Sequence, residues 1–273
     1  MYSGTTLTRF SGRVVGAHQK LDRVAYNFLE KVVDDLGKVP TIRQVLHFEG
    51  RKGPDAIKRK SPAKDEPFHF YSPFDDDDGH LMDVVKTHYE HLVRELKAGN
   101  KERSAFEMAW IAHALVDGLT PAHHYPYEQK VNELWGNTRE DRDSLKVRWF
   151  PPADTTRERL QKSWKMWGAK GLMSTHGLFE LGSAVILAPL TMSESVPTQR
   201  ELELIQEIGV VEWFQRSARE IAALDIYTRF RKRGWTTKLV YDIRHKLGPV
   251  MAQTVCLTWY MALVDAGLVK PAK

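Results

Sequence analysis

The stretch Trp110 to Tyr125, WIAHALVDGLTPAHHY, carries the residues best suited to chemistry in this chain. His113 and Asp117 stand four apart in a segment of helical periodicity. Both side chains therefore leave one face a single turn apart, the spacing at which an imidazole and a carboxylate share a divalent cation. Gly118 and Pro121 then stop the helix, and the chain turns to present His123. A His with Asp at +4 and His at +10 arises by chance roughly 0.03 times in a chain of this composition, so the trio argues for a site. The plainer alternative is a core histidine bonded through its ring N–H beside an aspartate at a helix end.

Two further His-to-carboxylate pairs share the four-residue spacing. His176 and Glu180 lie in STHGLFELG, an uninterrupted helical pattern, and His124 and Glu128 follow the first motif directly. Pro126 sits between the latter two and disfavours the helix that would align them, which favours His176 and Glu180. Upstream, His69 stands among aromatics in FHFY, with Pro54-Asp55 fourteen residues earlier. His18 begins an amphipathic segment, HQKLDRVA. Taken alone, His69 reads as a packed core residue and His18 as a polar surface group.

Helices must position these groups. Leu21, Val24, Ala25, Phe28, Leu29 and Val32 form one apolar stripe at three and four spacing, and Met108, Ile111, Ala112, Leu115 and Val116 another. Similar patterns cover 83–98, 156–170, 174–188, 198–225 and 236–266, punctuated by Gly99, Gly171, Pro189, Pro197 and Gly234. Alternating strand patterns are scarce. The expected fold is all-α, a single multi-helix domain over 1–273, with irregular excursions at 49–79 and 125–152. Excursions of that length are usually functional or disordered.

Composition sets the outer bounds. The 273 residues are 42% hydrophobic and 27% charged, close to globular averages, which excludes a collagen-like or disulfide-stapled chain. The single cysteine, Cys256, lies in an apolar run and reads as a buried, inert thiol. No stretch reaches the ~18 consecutive apolar residues of a membrane span, and the start lacks a basic and apolar leader. The expectation is a soluble, cytoplasmic protein, with secretion as the alternative. A net charge of +5 comes with basic clusters at 51–60, 139–170 and 229–246, suited to a nucleic acid, an anionic lipid surface or simply solvated helix faces. The acidic run 75–78 lacks the alternation of a calcium loop and reads as solvated.

GAHQKLDRVAYNFL, the PD pair before HFYSP, HALVDGLTPAH and HGLFE occur in an order and with spacings that resemble the zinc-dependent phospholipase C and S1/P1 nuclease superfamily. The resemblance covers roughly residues 14–181. It implies metal ligation by His18, Asp55, His69, His113, Asp117, His123, His176 and Glu180. Two features depart from the family pattern: no Trp precedes His18, and about fifty residues separate His123 from His176. That insert carries Trp135, Trp149, Trp164 and Trp167, suited either to shaping substrate access or to ordinary packing.

The implied cofactor is Zn2+, about two or three ions, which lowers the pKa of bound water toward ~7 and clamps phosphoryl oxygens. Nitrogen and carboxylate ligands without thiolate suit such a hydrolytic site. The resemblance implies that Asp117 bridges two metals, with His69 and His113 on one and His18 on the other. His123, His176 and Glu180 take a further zinc, and Asp55 either ligates or acts catalytically by orienting the attacking water. Glu180 and the HFYSP segment favour a phospholipase C-like phosphodiesterase. The alternatives are an S1/P1-type nuclease acting on single-stranded nucleic acid, for which the tryptophans and basic balance would serve, and a non-catalytic helical scaffold with structural zinc and basic docking faces.

Overall fold

The apolar stripes of the sequence become helices wherever they recur at three and four spacing. The computed structural model of the chain describes residues 16–49, 53–55, 70–75, 79–136 and 152–272. It is 74% helical, and no strand occurs among the described residues, so the fold class is all-α. The helices are α1 (Ala17–Val32), α2 (Ile42–Glu49), α3 (His80–Lys97), α4 (Lys101–Gly118), α5 (Tyr127–Trp135), α6 (Thr156–Trp167), α7 (Leu172–Leu187), α8 (Gln199–Ala223), α9 (Ile226–Arg233), α10 (Thr237–Asp242) and α11 (Gly248–Asp265).

Helix starts follow the expected chemistry. The Asn100 side chain accepts from the Arg103 N–H ahead of α4. Thr155 and Thr236 do the same for α6 and α10. Thr198 and Glu201 form a reciprocal capping box at α8.

α4 is the central element. It packs along α2 and α3 and against α11, while α11 also meets α1 and α8. From Ala105 to Leu115 nearly every apolar side chain of α4 is buried. One hydrophobic core joins α1 to α4 with α7 to α11, and Val131, Trp135 and Met166 make a smaller one between α5 and α6. Gly118 ends α4 where a side chain has no room: a Cβ there would stand 2.5 Å from both Leu81 Cδ2 and Phe214 Cζ.

Several boundaries differ from the sequence expectation. The excursion expected over 125–152 contains α5, which starts at Tyr127 because Pro126, with φ −70°, is tolerated at a helix N-cap though not inside a helix. α2 was not anticipated; its eight residues are too short for a clear periodic signal. The helix expected over 198–225 is kinked at Gly209, whose φ of 80° belongs to the left-handed region. The one expected over 236–266 widens into a π turn at Ile243–Leu247, just before Pro249, which cannot donate to a regular helical ladder. Most of the 49–79 excursion, Trp149 and residues 76–78 of the acidic run lie outside the described residues.

The run Thr237–Asp265, 29 residues, is long and apolar enough to cross a membrane by length and composition, but 78% of its most apolar window is buried against other helices. That is the setting of a core helix. Cys256 sits there, fully buried, and burial pushes its thiol pKa up.

Candidate metal centre

Four helices (α1, α2, α4 and α7), the exit turn of α4 and the segment after α2 deliver the acids and imidazoles. On α1, the stripe that buries Leu21, Ala25 and Leu29 also buries His18 and Asp22, so His18 enters the interior and is no surface group. α4 supplies His113 and Asp117 from one face. The two are 2% exposed.

His18 Nε2 lies 3.3 Å from Asp117 Oδ1, and His113 Nε2 lies 3.2 Å from Asp117 Oδ2. The two imidazoles stack with centroids 4.0 Å apart and planes 9° off parallel. Asp55 approaches from the segment after α2, its Oδ1 3.7 Å from His113 Nε2. At 16% exposure, Asp55 is the one acid of this group open to solvent.

The exit turn of α4 builds a second group. The Asp117 carbonyl accepts from the Thr120 N–H at 2.9 Å and lies 3.0 Å from His123 Nδ1. Placing the proton of His123 on Nδ1 directs its Nε2 at Glu180 Oε1, 2.9 Å away. His176 Nε2 lies 3.1 Å from the same oxygen, one turn along α7. The rings of His123 and His176 are nearly parallel, 5.3 Å apart.

Both triads, His18 with His113 and Asp117, and His123 with His176 and Glu180, bring one ligand atom per residue within 4.8 Å of the others. Ligand atoms about 2.0–2.1 Å from a tetrahedral zinc stand about 3.3–3.4 Å from one another. The contacts of 2.9 to 3.3 Å lie at or a little inside that edge, so the donor sets suit such an ion.

Electrostatics separate the two triads. Burial lowers the His113 pKa, but Glu49, Asp117 and Asp55 outweigh it and raise the group to about 10. Burial instead prevails at His123 and lowers it, against the pull of Asp117 and Glu180. Burial works to raise Glu180, yet the neighbouring His176 and His123 help hold it well below the usual carboxylate range.

Seven of the eight expected ligands converge. His69 lies outside the described residues, although its successors pass the site: the Tyr71 N–H donates to the His123 carbonyl, and the Phe70 ring lies 5.4 Å from that of His123. His124 is engaged elsewhere, its Nε2 2.8 Å from the Gly118 carbonyl, with burial pushing its pKa down to about 4. His176 and Glu180, and not His124, complete the second group. Trp135 is packed against Met166 in the smaller core, while Trp164 and Trp167 are exposed.

Two buried acids were missed. Glu49, fully buried at the end of α2, places Oε1 3.0 Å from His113 Nδ1. A carboxylate behind a ligating imidazole fixes its tautomer and raises its basicity. Asp22 lies on the same side of α1 as His18, and burial, then Glu49, push its carboxyl well above the usual range. Its spacing from His18 repeats that of His113 and Asp117, a signal that was present in the sequence. Glu49 had no such signal.

No protein-family model and no curated protein matches this chain.

Proposed function

We propose that this protein is a zinc-dependent phosphodiester hydrolase of phospholipase C-like type. The observation that carries the reading is the shared aspartate: the two carboxylate oxygens of Asp117 face different histidines, and its carbonyl orients a third. One residue thereby links two ligand groups, which supports a reading as a multi-metal hydrolytic site.

His18, His113 and Asp117 would hold zinc on one side, with His69 as a further ligand; His123, His176 and Glu180 would hold it on the other. Bound there, zinc supplies an activated water at neutral pH and neutralises charge on the phosphoryl oxygens. Asp55, the solvent-accessible acid beside His113, orients the attacking water and takes its proton. Glu49 holds the His113 Nδ1 proton, keeping Nε2 turned inward. The Asp117 carbonyl does the same for His123.

Metal analysis of the purified protein is expected to find about two or three zinc ions per chain. EDTA-sensitive hydrolysis of bis-p-nitrophenyl phosphate is expected, lost in His113→Ala and Asp117→Asn. A fully folded protein that neither contains nor takes up zinc overturns the reading in favour of a scaffold. Cleavage of short-chain phosphatidylcholine supports the phospholipase assignment, and cleavage of single-stranded DNA in its place moves it to the nuclease.

A further inference from the structure

α6 turns its apolar side to water. Leu160, Trp164 and Trp167 recur at positions i, i+4 and i+7, forming one stripe, with Leu160 68% and Trp164 71% exposed. Met166 is the buried residue of this helix. An ordinary surface helix points such a stripe at the core.

α7, packed against α6, does the same: Leu178, Leu181 and Val185 are exposed at three and four spacing, on the side away from His176 and Glu180. Of ten large hydrophobic side chains exposed among the described residues, six lie on this helix pair. Such a concentration marks a contact surface.

Charge selects what the surface meets. A cleft of about 330 Å³ opens between α5, α6, α7 and α9, and four cations line it: Lys130, Lys165, Lys170 and Arg231. Glu133 is the carboxylate of the lining, and Lys130 is paired with it at 2.8 Å. Lys165, Lys170 and Arg231 have no ion pair among the described residues. Arg231 lies over the Tyr125 ring at 4.2 Å, a contact that leaves its N–H groups available. Arg157 and Arg159, also exposed, extend the positive field along α6.

A second copy of the chain would set these cations against their own kind. An anionic bilayer offers both complements at once, an acyl boundary for Trp164 and Leu160 and headgroups for the lysines. We propose that the exposed apolar stripes of α6 and α7, with the cationic cleft these helices line, dock this protein on an anionic phospholipid membrane. Docking needs no hydrolysis and does not rest on the metal-centre reading, since it is measured as binding alone.

The full-length protein is to be sedimented with phosphatidylcholine vesicles, with and without phosphatidylserine, at low and high salt. Binding is expected to the phosphatidylserine vesicles and to weaken with salt. Lys165→Ala combined with Lys170→Ala should lower it by about thirtyfold. Leu160→Ser with Trp164→Ser should lower it at every salt concentration, and the wild-type tryptophan emission should shift to the blue on binding. These side chains are exposed, and circular dichroism confirms that the variants fold. Absence of binding to phosphatidylserine vesicles, or binding indifferent to both double variants, overturns the proposal. So does a dimer in sedimentation velocity that Trp164→Ser abolishes, which would make the face a contact between copies.

Discussion

Oε1 of Glu49 lies 3.0 Å from Nδ1 of His113, although the two residues are 64 positions apart and come from different helices. This contact holds a proton on His113 Nδ1 and turns Nε2 toward Asp117 and Asp55. It also explains a charged residue that the core would otherwise reject, since a fully buried carboxylate persists only with such partners.

Glu49→Gln keeps the shape and removes the charge. Zinc affinity at the first group is expected to fall about 10- to 100-fold, the usual cost of losing a carboxylate behind a ligating histidine. Competition with a chromophoric chelator measures it, and retained affinity would show that Glu49 does not support the metal.

Protons should distinguish the two groups. With its pKa raised to about 10, His113 is protonated at neutral pH before metal arrives, so zinc must displace a proton. His123 and Glu180 are both lowered and need release none. Calorimetry at pH 7 in buffers of different ionisation enthalpy should therefore show proton release for the first group, absent in His113→Gln, and none from His123 or Glu180.

The same shift makes a prediction for the metal-free protein. A histidine raised in the folded state contributes stability fully present below its unfolded value of 6.5 and lost as pH climbs through about 10. The Tm of EDTA-treated protein should decline across that alkaline window, and the His113 share of the decline should vanish in His113→Gln.

Asp55→Asn separates ligand from base. If the carboxylate takes the proton of the attacking water, kcat should fall about 10²- to 10⁴-fold while zinc content holds. Loss of a zinc ion from the variant would make Asp55 a ligand.

Gly118→Ala tests the packing under the site. The added methyl would stand 2.5 Å from the Leu81 and Phe214 side chains, which must shift within a filled core, at about 1–3 kcal/mol. The Tm should drop by several degrees.

The long helices and the H-x3-D pattern were legible because both follow from 3.6-residue geometry, which acts within a single segment. α1 and α4 show it: one periodic stripe predicts each helix, and the four-residue step places His113 above Asp117. Glu49 was illegible for the converse reason. Its function arises only when α2 folds across α4, a relation that no local spacing records. Asp22 was readable beside His18 but had no partner in view until Glu49 came near it. The kink at Gly209 and the π turn before Pro249 also escaped, since one residue of altered backbone hardly disturbs a stripe of twenty.

The bond from His123 to the Asp117 carbonyl has a mechanical consequence. The residue whose carboxylate faces His18 and His113 is also the backbone anchor of the His123 ring, so a shift of the α4 terminus would move both groups together.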